Sequence, residues 1–423
     1  MFDWVLSFRV DSAGFLIGCA LVAAGLTTVL VVRRGTARSR LLSAVAVVAG
    51  AGLGYLLCWL LGDVLNVFGI DLTPTTRAWS AVAFAGVSLA IVSLVRARAW
   101  RIVVAGLAIP AFLLVGAVGI NQDFGEFTTV GSALGVSPYE SFSALPSAHG
   151  TITDWRVNGA LPRQGKVEQV DIPATHSGFA HRAALVYLPP AALTVHPPAL
   201  PVIEAFSGQP GQPADLFRSG DLAGLLDQEA ATHHGLAPIV VVPDQLGAPD
   251  RNPMCVDGPL GNSATYLTKD VPDWIRTHLP VATDRADWFV AGFSQGGTCA
   301  IQFGAAHPEL FGGVLDISGE VEPTIGPNTV AVGFSGSAAA YAAARPLSIL
   351  SSKAPYPNTV ALFGYGSDDS RYAPGVVRVA AAAGAAGMSS ETFVSQGTAH
   401  DWHTVRAVLS LALPSVLDRF GIR

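Results

Sequence analysis

Gly292-Phe293-Ser294-Gln295-Gly296 sets a serine between two glycines. It comes directly after the apolar run 288–291 and before a helix-like segment that Pro308 stops. That is the layout of a nucleophile elbow, in which a sharp strand-to-helix turn lifts a serine hydroxyl above a sheet. Such a turn brings backbone segments too close for side chains at the two glycine positions. In a chain with 45 glycines the bare pattern is weak, so strand–turn–helix context has to decide it. Gly333-Phe334-Ser335-Gly336-Ser337 starts the same way but lacks the closing glycine.

A serine at its free pKa is a poor nucleophile. It needs a base to take its proton, and the base needs an acid to orient it. On an α/β-hydrolase sheet the three come in chain order Ser, Asp/Glu, His, on loops after successive strands. Here Gly366-Ser367-Asp368-Asp369 follows the strand-like run 360–363, and Gly397-Thr398-Ala399-His400 follows the run 391–395. Of ten histidines, only His400 and His403 lie beyond the last strand. His400 falls in the loop, where an imidazole can reach the serine, and His403 is already on the following helix. The acid is Asp369 by its Gly-x-x-Asp spacing, with Asp368 and Asp316 as alternatives. Ester chemistry also needs donors for the developing oxyanion. The backbone N–H of Gln295, just after the serine, is one candidate. The N–H of Gln209, in the loop Ser207-Gly208-Gln209-Pro210-Gly211 after the third main strand, is the other.

Cys255 and Cys299 are the only cysteines outside the long apolar runs. Cys299 is on the helix that carries the serine and Cys255 is in the long loop 244–262. In an oxidising compartment the two could form a disulfide that ties loop to elbow. No C-x-x-C pair points to zinc or redox work, so neither a metal nor a cofactor is expected. Glu204, inside an otherwise apolar strand, is a buried acid that needs a partner.

These residues must be held by a sheet. From about residue 165 short β-rich runs alternate with helical ones, the signature of a parallel sheet with covering helices. Strands are expected at 167–172, 183–188, 201–206, 239–242, 288–291, 313–317, 360–363 and 391–395, and a closing helix at 402–420. A further helix carries Leu267, Val271, Trp274 and Ile275 on one stripe, with a kink expected at Pro272. The elbow then sits on a middle strand.

The N-terminal part is of another kind. Half of the 423 residues are apolar and the mean hydropathy is +0.44, too high for an ordinary soluble chain. Four charge-free runs, 12–32, 42–62, 79–95 and 102–120, are each long enough to cross a hydrocarbon core. Arg33, Arg34, Arg38 and Arg40 crowd the first connection and Arg96, Arg98 and Arg101 the third. The second, 63–77, has one arginine and two aspartates. The positive-inside rule puts the first and third connections in the cytoplasm, and both termini outside. A lipoprotein leader at Leu16-Ile17-Gly18-Cys19 is disfavoured by Asp3 and Asp11 and by an apolar run that continues past the cysteine. A cleaved signal peptide lacks a clear small-residue site. A transporter would carry ionisable residues within its spans, and these have none. The expected layout is a four-helix transmembrane anchor over 1–121, a juxtamembrane linker over 122–160 and an extracytoplasmic domain over 161–423. Residues 1–120 hold nine Lys/Arg against four acids, and 121–423 hold sixteen against twenty-seven. That acidic balance excludes a basic groove for nucleic acid.

The stretch 165–423 resembles the putative-esterase family of α/β-hydrolases, which includes esterase D-like carboxylesterases and secreted mycolyltransferases. The likeness rests on Val186-Tyr-Leu-Pro-Pro190, Ala264-Thr-Tyr-Leu-Thr-Lys-Asp-Val-Pro-Asp-Trp274, the elbow with Ala306-His-Pro-Glu-Leu-Phe311, and His400-Asp-Trp402. The resemblance implies an α/β-hydrolase fold and a serine ester hydrolase or acyltransferase with Ser294 and His400 in catalytic roles. The family acid falls on the Asp368–Asp369 region. The loop Ser207-Gly-Gln-Pro-Gly-Gln-Pro213 is of the general esterase type and lacks the Asp/Arg pattern tied to sugar acceptors. Together these point to a membrane-anchored serine esterase acting on an ester-linked lipid or cell-envelope component. The alternatives are acyl transfer to a sugar or lipid alcohol, and an idle hydrolase fold serving as a receptor or assembly module.

Overall fold

The structure is a computed structural model and describes residues 3–32, 36–95, 97–157 and 159–423. Arg33, Arg34 and Arg96, counted above among the loop cations, lie outside the described residues. The chain divides into two compact units, Met1–Ser137 and Pro138–Arg423.

Among the described residues, the first unit has four helices long and apolar enough to cross a membrane: α1 (Ala13–Val31), α2 (Ala37–Trp59, prolonged by a π turn to Val64), α3 (Pro74–Ser93) and α4 (Ala99–Phe124). At ~1.5 Å per residue even the shortest spans about 28 Å. Ser12, Thr36 and Thr73 cap the first three through their side-chain oxygens. Arg38 and Arg40 belong to the start of α2, not to a free loop. Of the three charges in the second connection, Asp63 and Arg77 pair with each other at 2.8 Å.

The expected linker is divided between the units. Helix α4 runs on to Phe124, where Asp123 accepts from the hydroxyls of Thr73 and Thr76. Further on, Glu140–Ser141 forms β1, which pairs in parallel with β2 (Lys166–Val170) and so joins the sheet. Two residues of strand carry no alternation a sequence could display.

The second unit continues with β3 (Ala184–Leu188), β4 (Val202–Phe206), α5 (Leu222–Thr232), β5 (Ile239–Val242), α6 (Val271–His278), β6 (Trp288–Phe293), α7 (Gln295–Ala306) and β7 (Gly313–Ile317). Next come α8 (Ala338–Ala344), α9 (Pro346–Lys353), β8 (Val360–Gly366), α10 (Ala373–Ala385), β9 (Ser389–Ser395) and α11 (Trp402–Phe420). One nine-stranded sheet has the order β1-β2-β3-β5-β4-β6-β7-β8-β9. Within this sheet β3 alone runs against its neighbours; the other pairings are parallel. Ahead of Pro272 the chain makes a π turn, Tyr266–Asp270, and α6 starts afresh with the proline in its first turn. A proline is tolerated there because the first-turn N–H groups have no intrahelical acceptor.

Both faces of the sheet are covered, so the central strands are buried end to end. Trp288 and Val290 pack on one side with Cys299, Ile301 and Phe303 of α7. Phe289, Ala291 and Phe293 pack on the other with Val405, Val408, Leu409 and Phe420 of α11. This is the α/β-hydrolase fold, and it seats the elbow on the sixth strand of nine. Glu204 on β4 is fully buried, and neither carboxylate oxygen has a partner among the described residues. Burial raises its pKa well above the usual range, partly opposed by Arg276. Burial without a partner thus favours the neutral form of this acid.

Candidate active site

Strand β6 ends at Phe293, and Ser294 takes φ 57° and ψ −121° before α7 begins. A non-glycine residue rarely adopts this conformation, which the surroundings must enforce. The Ser294 N–H donates to the Ile317 carbonyl at the end of β7 (2.8 Å). Its own carbonyl accepts from the N–H (3.0 Å) and the hydroxyl (3.2 Å) of Thr298. A methyl group added at Gly292 would run into the Gly296 carbonyl. One at Gly296 would run into the carbonyls of Phe206 and Ser207. Both glycines are thus required by backbone contact. The serine itself is half-buried and reachable, whereas its neighbours on β6 and α7 are buried.

Ser294, Asp369 and His400 come together as the sequence expects. The Ser294 hydroxyl lies 2.8 Å from His400 Nε2, and His400 Nδ1 lies 2.9 Å from Asp369 Oδ2. A carboxylate only accepts, so Nδ1 carries the proton and Nε2 is left to accept from the serine. Asp369 and His400 are both nearly buried, with side-chain exposures of 2% and 9%. Asp369 Oδ1 also takes the Tyr372 N–H at 3.0 Å, which fixes the carboxylate. Asp368, by contrast, is exposed and accepts from the Ser367 hydroxyl. Asp316 is turned to the Gly319 N–H (2.9 Å). Burial pushes its pKa up to about 7, a rise that this hydrogen bond only partly offsets. Glu320, on the loop after β7, is likewise pushed up to about 7 by burial, against the pull of Arg371.

Several parts of this arrangement were not found in the sequence. The imidazole of His400 lies between Tyr372 and Phe293, with ring centroids at 4.2 and 4.9 Å, and Phe293 also packs on Trp402. Asp401 caps α11 by accepting the Thr404 N–H (2.8 Å), and its other oxygen takes the Ala399 N–H (2.9 Å). One aspartate thus starts the closing helix and pins the loop bearing His400. An aspartate at the start of an apolar-striped helix is a legible capping signal. The aromatic clamp depends on contacts across the fold and leaves no local trace.

The loop after β4 passes beside the serine. A methyl group at Gly208 would sit 3.4 Å from Ser294 Cβ, and the Gln209 amide follows directly, ahead of a cis bond to Pro210. Gln295 opens α7, so by position its N–H has no intrahelical acceptor. Cys255 and Cys299 are joined in a disulfide. Among the described residues no group of three or more His, Cys, Asp or Glu is placed to hold a metal ion.

Residues 180–410 match the model of a protein family described as putative esterase. An uncharacterized protein of Corynebacterium glutamicum is 32% identical over 370 residues, covering 83% of this chain and 84% of that one. Among solved structures, a ferulic acid esterase superposes with a TM-score of 0.51 at 20% identity, over 61% of this chain and 99% of its own. An S-formylglutathione hydrolase from Agrobacterium tumefaciens does so with 0.51 at 19% identity, over 62% and 98%. At these identities the two structures speak for the fold.

Proposed function

The chain belongs to the putative-esterase family, and on that premise we propose that it is a membrane-anchored, extracytoplasmic serine esterase that cleaves an ester of a lipid or cell-envelope component. One observation carries the chemistry: a reachable serine hydroxyl 2.8 Å from an imidazole whose other nitrogen is held 2.9 Å from a buried carboxylate. Ser294 Oγ attacks the ester carbonyl while His400 Nε2 takes its proton. The imidazolium that forms is stabilised and kept in orientation by Asp369. The oxyanion of the tetrahedral intermediate receives the amides of Gln295 and Gln209. Its collapse breaks the ester C–O bond, and His400 returns the proton to the departing alcohol, leaving an acyl-Ser294. Water, deprotonated by His400, then attacks the acyl carbon; the bond from that carbon to Ser294 Oγ breaks, His400 returns the proton to Oγ, and the acid is released.

The location rests on three supports. Four helices are long and apolar enough to cross a membrane. The arginines Arg38, Arg40, Arg98 and Arg101 gather at the first and third connections, which the positive-inside rule assigns to the cytoplasm. The Cys255–Cys299 disulfide fits an oxidising compartment. A domain tethered at the outer leaflet would meet lipid esters at high effective concentration. The test is turnover of p-nitrophenyl and long-chain esters by the full chain in detergent, with products analysed with and without an added alcohol. Free acid formed by wild type and lost in Ser294→Ala supports the esterase. Acyl product found only on the added alcohol supports transfer. Neither product from folded protein refutes both.

A further inference from the structure

Behind the nucleophile lies a buried polar network with no part in the proton transfers. Gln245, fully buried, donates from Nε2 to the Ser207 carbonyl (2.6 Å) and to Gln295 Oε1 (3.2 Å). Gln295, 4% exposed, donates from its own Nε2 to Asn252 Oδ1 (3.1 Å). The same nitrogen lies 3.2 Å from Cys299 Sγ and 3.8 Å from Cys255 Sγ. Asn252 in turn accepts the Met254 N–H (2.8 Å) and donates to the Thr324 carbonyl (3.1 Å). Three segments distant in sequence, the loop after β4, the elbow and the loop 244–262, thus meet on two glutamine side chains.

The direction of these bonds is forced. Both partners of Gln245 are oxygens that can only accept, so the NH₂ end must face them. Its Oε1 is then left buried with no partner among the described residues. A buried acceptor without a partner is unfavourable, a cost set against the two buried acceptors that the NH₂ end satisfies. A further reason for an amide here lies in what the two bonds hold. The Ser207 carbonyl and the Gly208 N–H share one rigid peptide plane, so fixing the first sets the course of the chain into the Gln209 amide. Gln295 is the residue whose backbone N–H opens α7 beside Ser294. Gln245 therefore joins both halves of the oxyanion hole through one side chain.

We propose that Gln245, acting with the side chain of Gln295, is a positioning residue that sets the separation of the two oxyanion donors. The inference rests on the esterase reading given above. Donors work only within about 2.7–3.1 Å of the developing oxyanion, and losing one costs about 10²–10³-fold in kcat. Displacing one without removing it should cost less, about 10–100-fold.

The experiment compares full-length wild type, Ser294→Ala, Gln245→Met and Gln295→Met in detergent, using p-nitrophenyl butyrate. Inhibition by an aryl trifluoromethyl ketone, whose hemiketal oxygen occupies the hole, is measured alongside. Methionine keeps the volume and removes the hydrogen bonds, and in Gln295→Met the backbone N–H stays. Both glutamine variants are expected to lose about 10–100-fold in kcat with KM within about twofold. Ketone affinity should fall by the same factor as kcat/KM; the melting temperature of Gln245→Met should fall, because the Ser207 carbonyl and Gln295 Oε1 lose their donor, so kcat is read well below it. If Gln245→Met does not fold, Gln295→Met and Gln245→Glu read the same quantities. Unchanged kcat and ketone affinity in the folded variants, with Ser294-dependent turnover in wild type, overturns this inference alone. No Ser294-dependent turnover in wild type overturns the esterase reading and this inference with it.

Discussion

Replacing Asp369 by asparagine tests the orienting acid with the least change in shape. In the wild type, Asp369 Oδ2 sits 2.9 Å from His400 Nδ1, and both groups are nearly buried, so solvent screens the pair poorly. At that separation and an effective dielectric constant of about 20, a carboxylate stabilises the imidazolium formed during serine attack by about 6 kcal/mol. Asparagine removes this charge. Its NH₂ group also favours the imidazole tautomer with the proton on Nε2, which then cannot accept from Ser294. Loss of the acid in serine proteases lowers kcat about 10⁴-fold, equivalent to about 5.4 kcal/mol, so the two routes agree. Asp369→Asn should therefore reduce kcat for p-nitrophenyl butyrate by about 10³–10⁴-fold and slow fluorophosphonate labelling by a similar factor, with little change in melting temperature. Asp368→Asn, at an exposed residue bonded to Ser367, should stay within about twofold of wild type, as surface substitutions away from a site usually do. The reasoning is refuted if Asp368→Asn carries the loss and Asp369→Asn does not.

Gly296→Ala drives a methyl group into the carbonyls of Phe206 and Ser207 at the junction of β4, β6 and α7. It should lower stability by about 3 kcal/mol or more in urea unfolding of the full chain, whereas Gly397→Ala, at a site with open space but φ 71°, should cost about 1 kcal/mol. Asp316, with its folded-state pKa raised from 3.8 to about 7 by burial, holds its proton longer in the native state than in the unfolded one. Stability is therefore lost as pH rises from about 4 through about 7, by up to about 4 kcal/mol. Asp316→Asn should flatten the fall in melting temperature between pH 5 and pH 8, and an equally steep fall in the variant would remove Asp316 as its source. For the orientation, Arg423→Cys in intact cells should react with a membrane-impermeant maleimide, and labelling only after lysis would reverse the assigned topology.

The parts of this account that could be read from the chain are those whose signals are local. The elbow combines an apolar strand, two glycines and a helix within 20 residues, and the acid and base each follow a strand in the required order. The choice between Asp368 and Asp369 was open in sequence because both fit a turn; burial and the bond to His400 separate them. Gln245 and Asn252 gave no signal, since their role exists only where the loop 244–262 folds back on α7. The same holds for the clamp of Phe293 and Tyr372 around His400. Strand β1 escaped notice because two residues show no periodicity. Glu204 was legible as an anomaly, and the structure buries it without the expected partner among the described residues.

The most direct test of the central claim is covalent labelling of the full chain by a fluorophosphonate, with the modified residue located by peptide mass. One equivalent of label is expected on Ser294, none in Ser294→Ala, and sharply slowed labelling in His400→Ala. Folded wild-type protein that takes up no label, or that carries it on another serine such as Ser335, would contradict that claim.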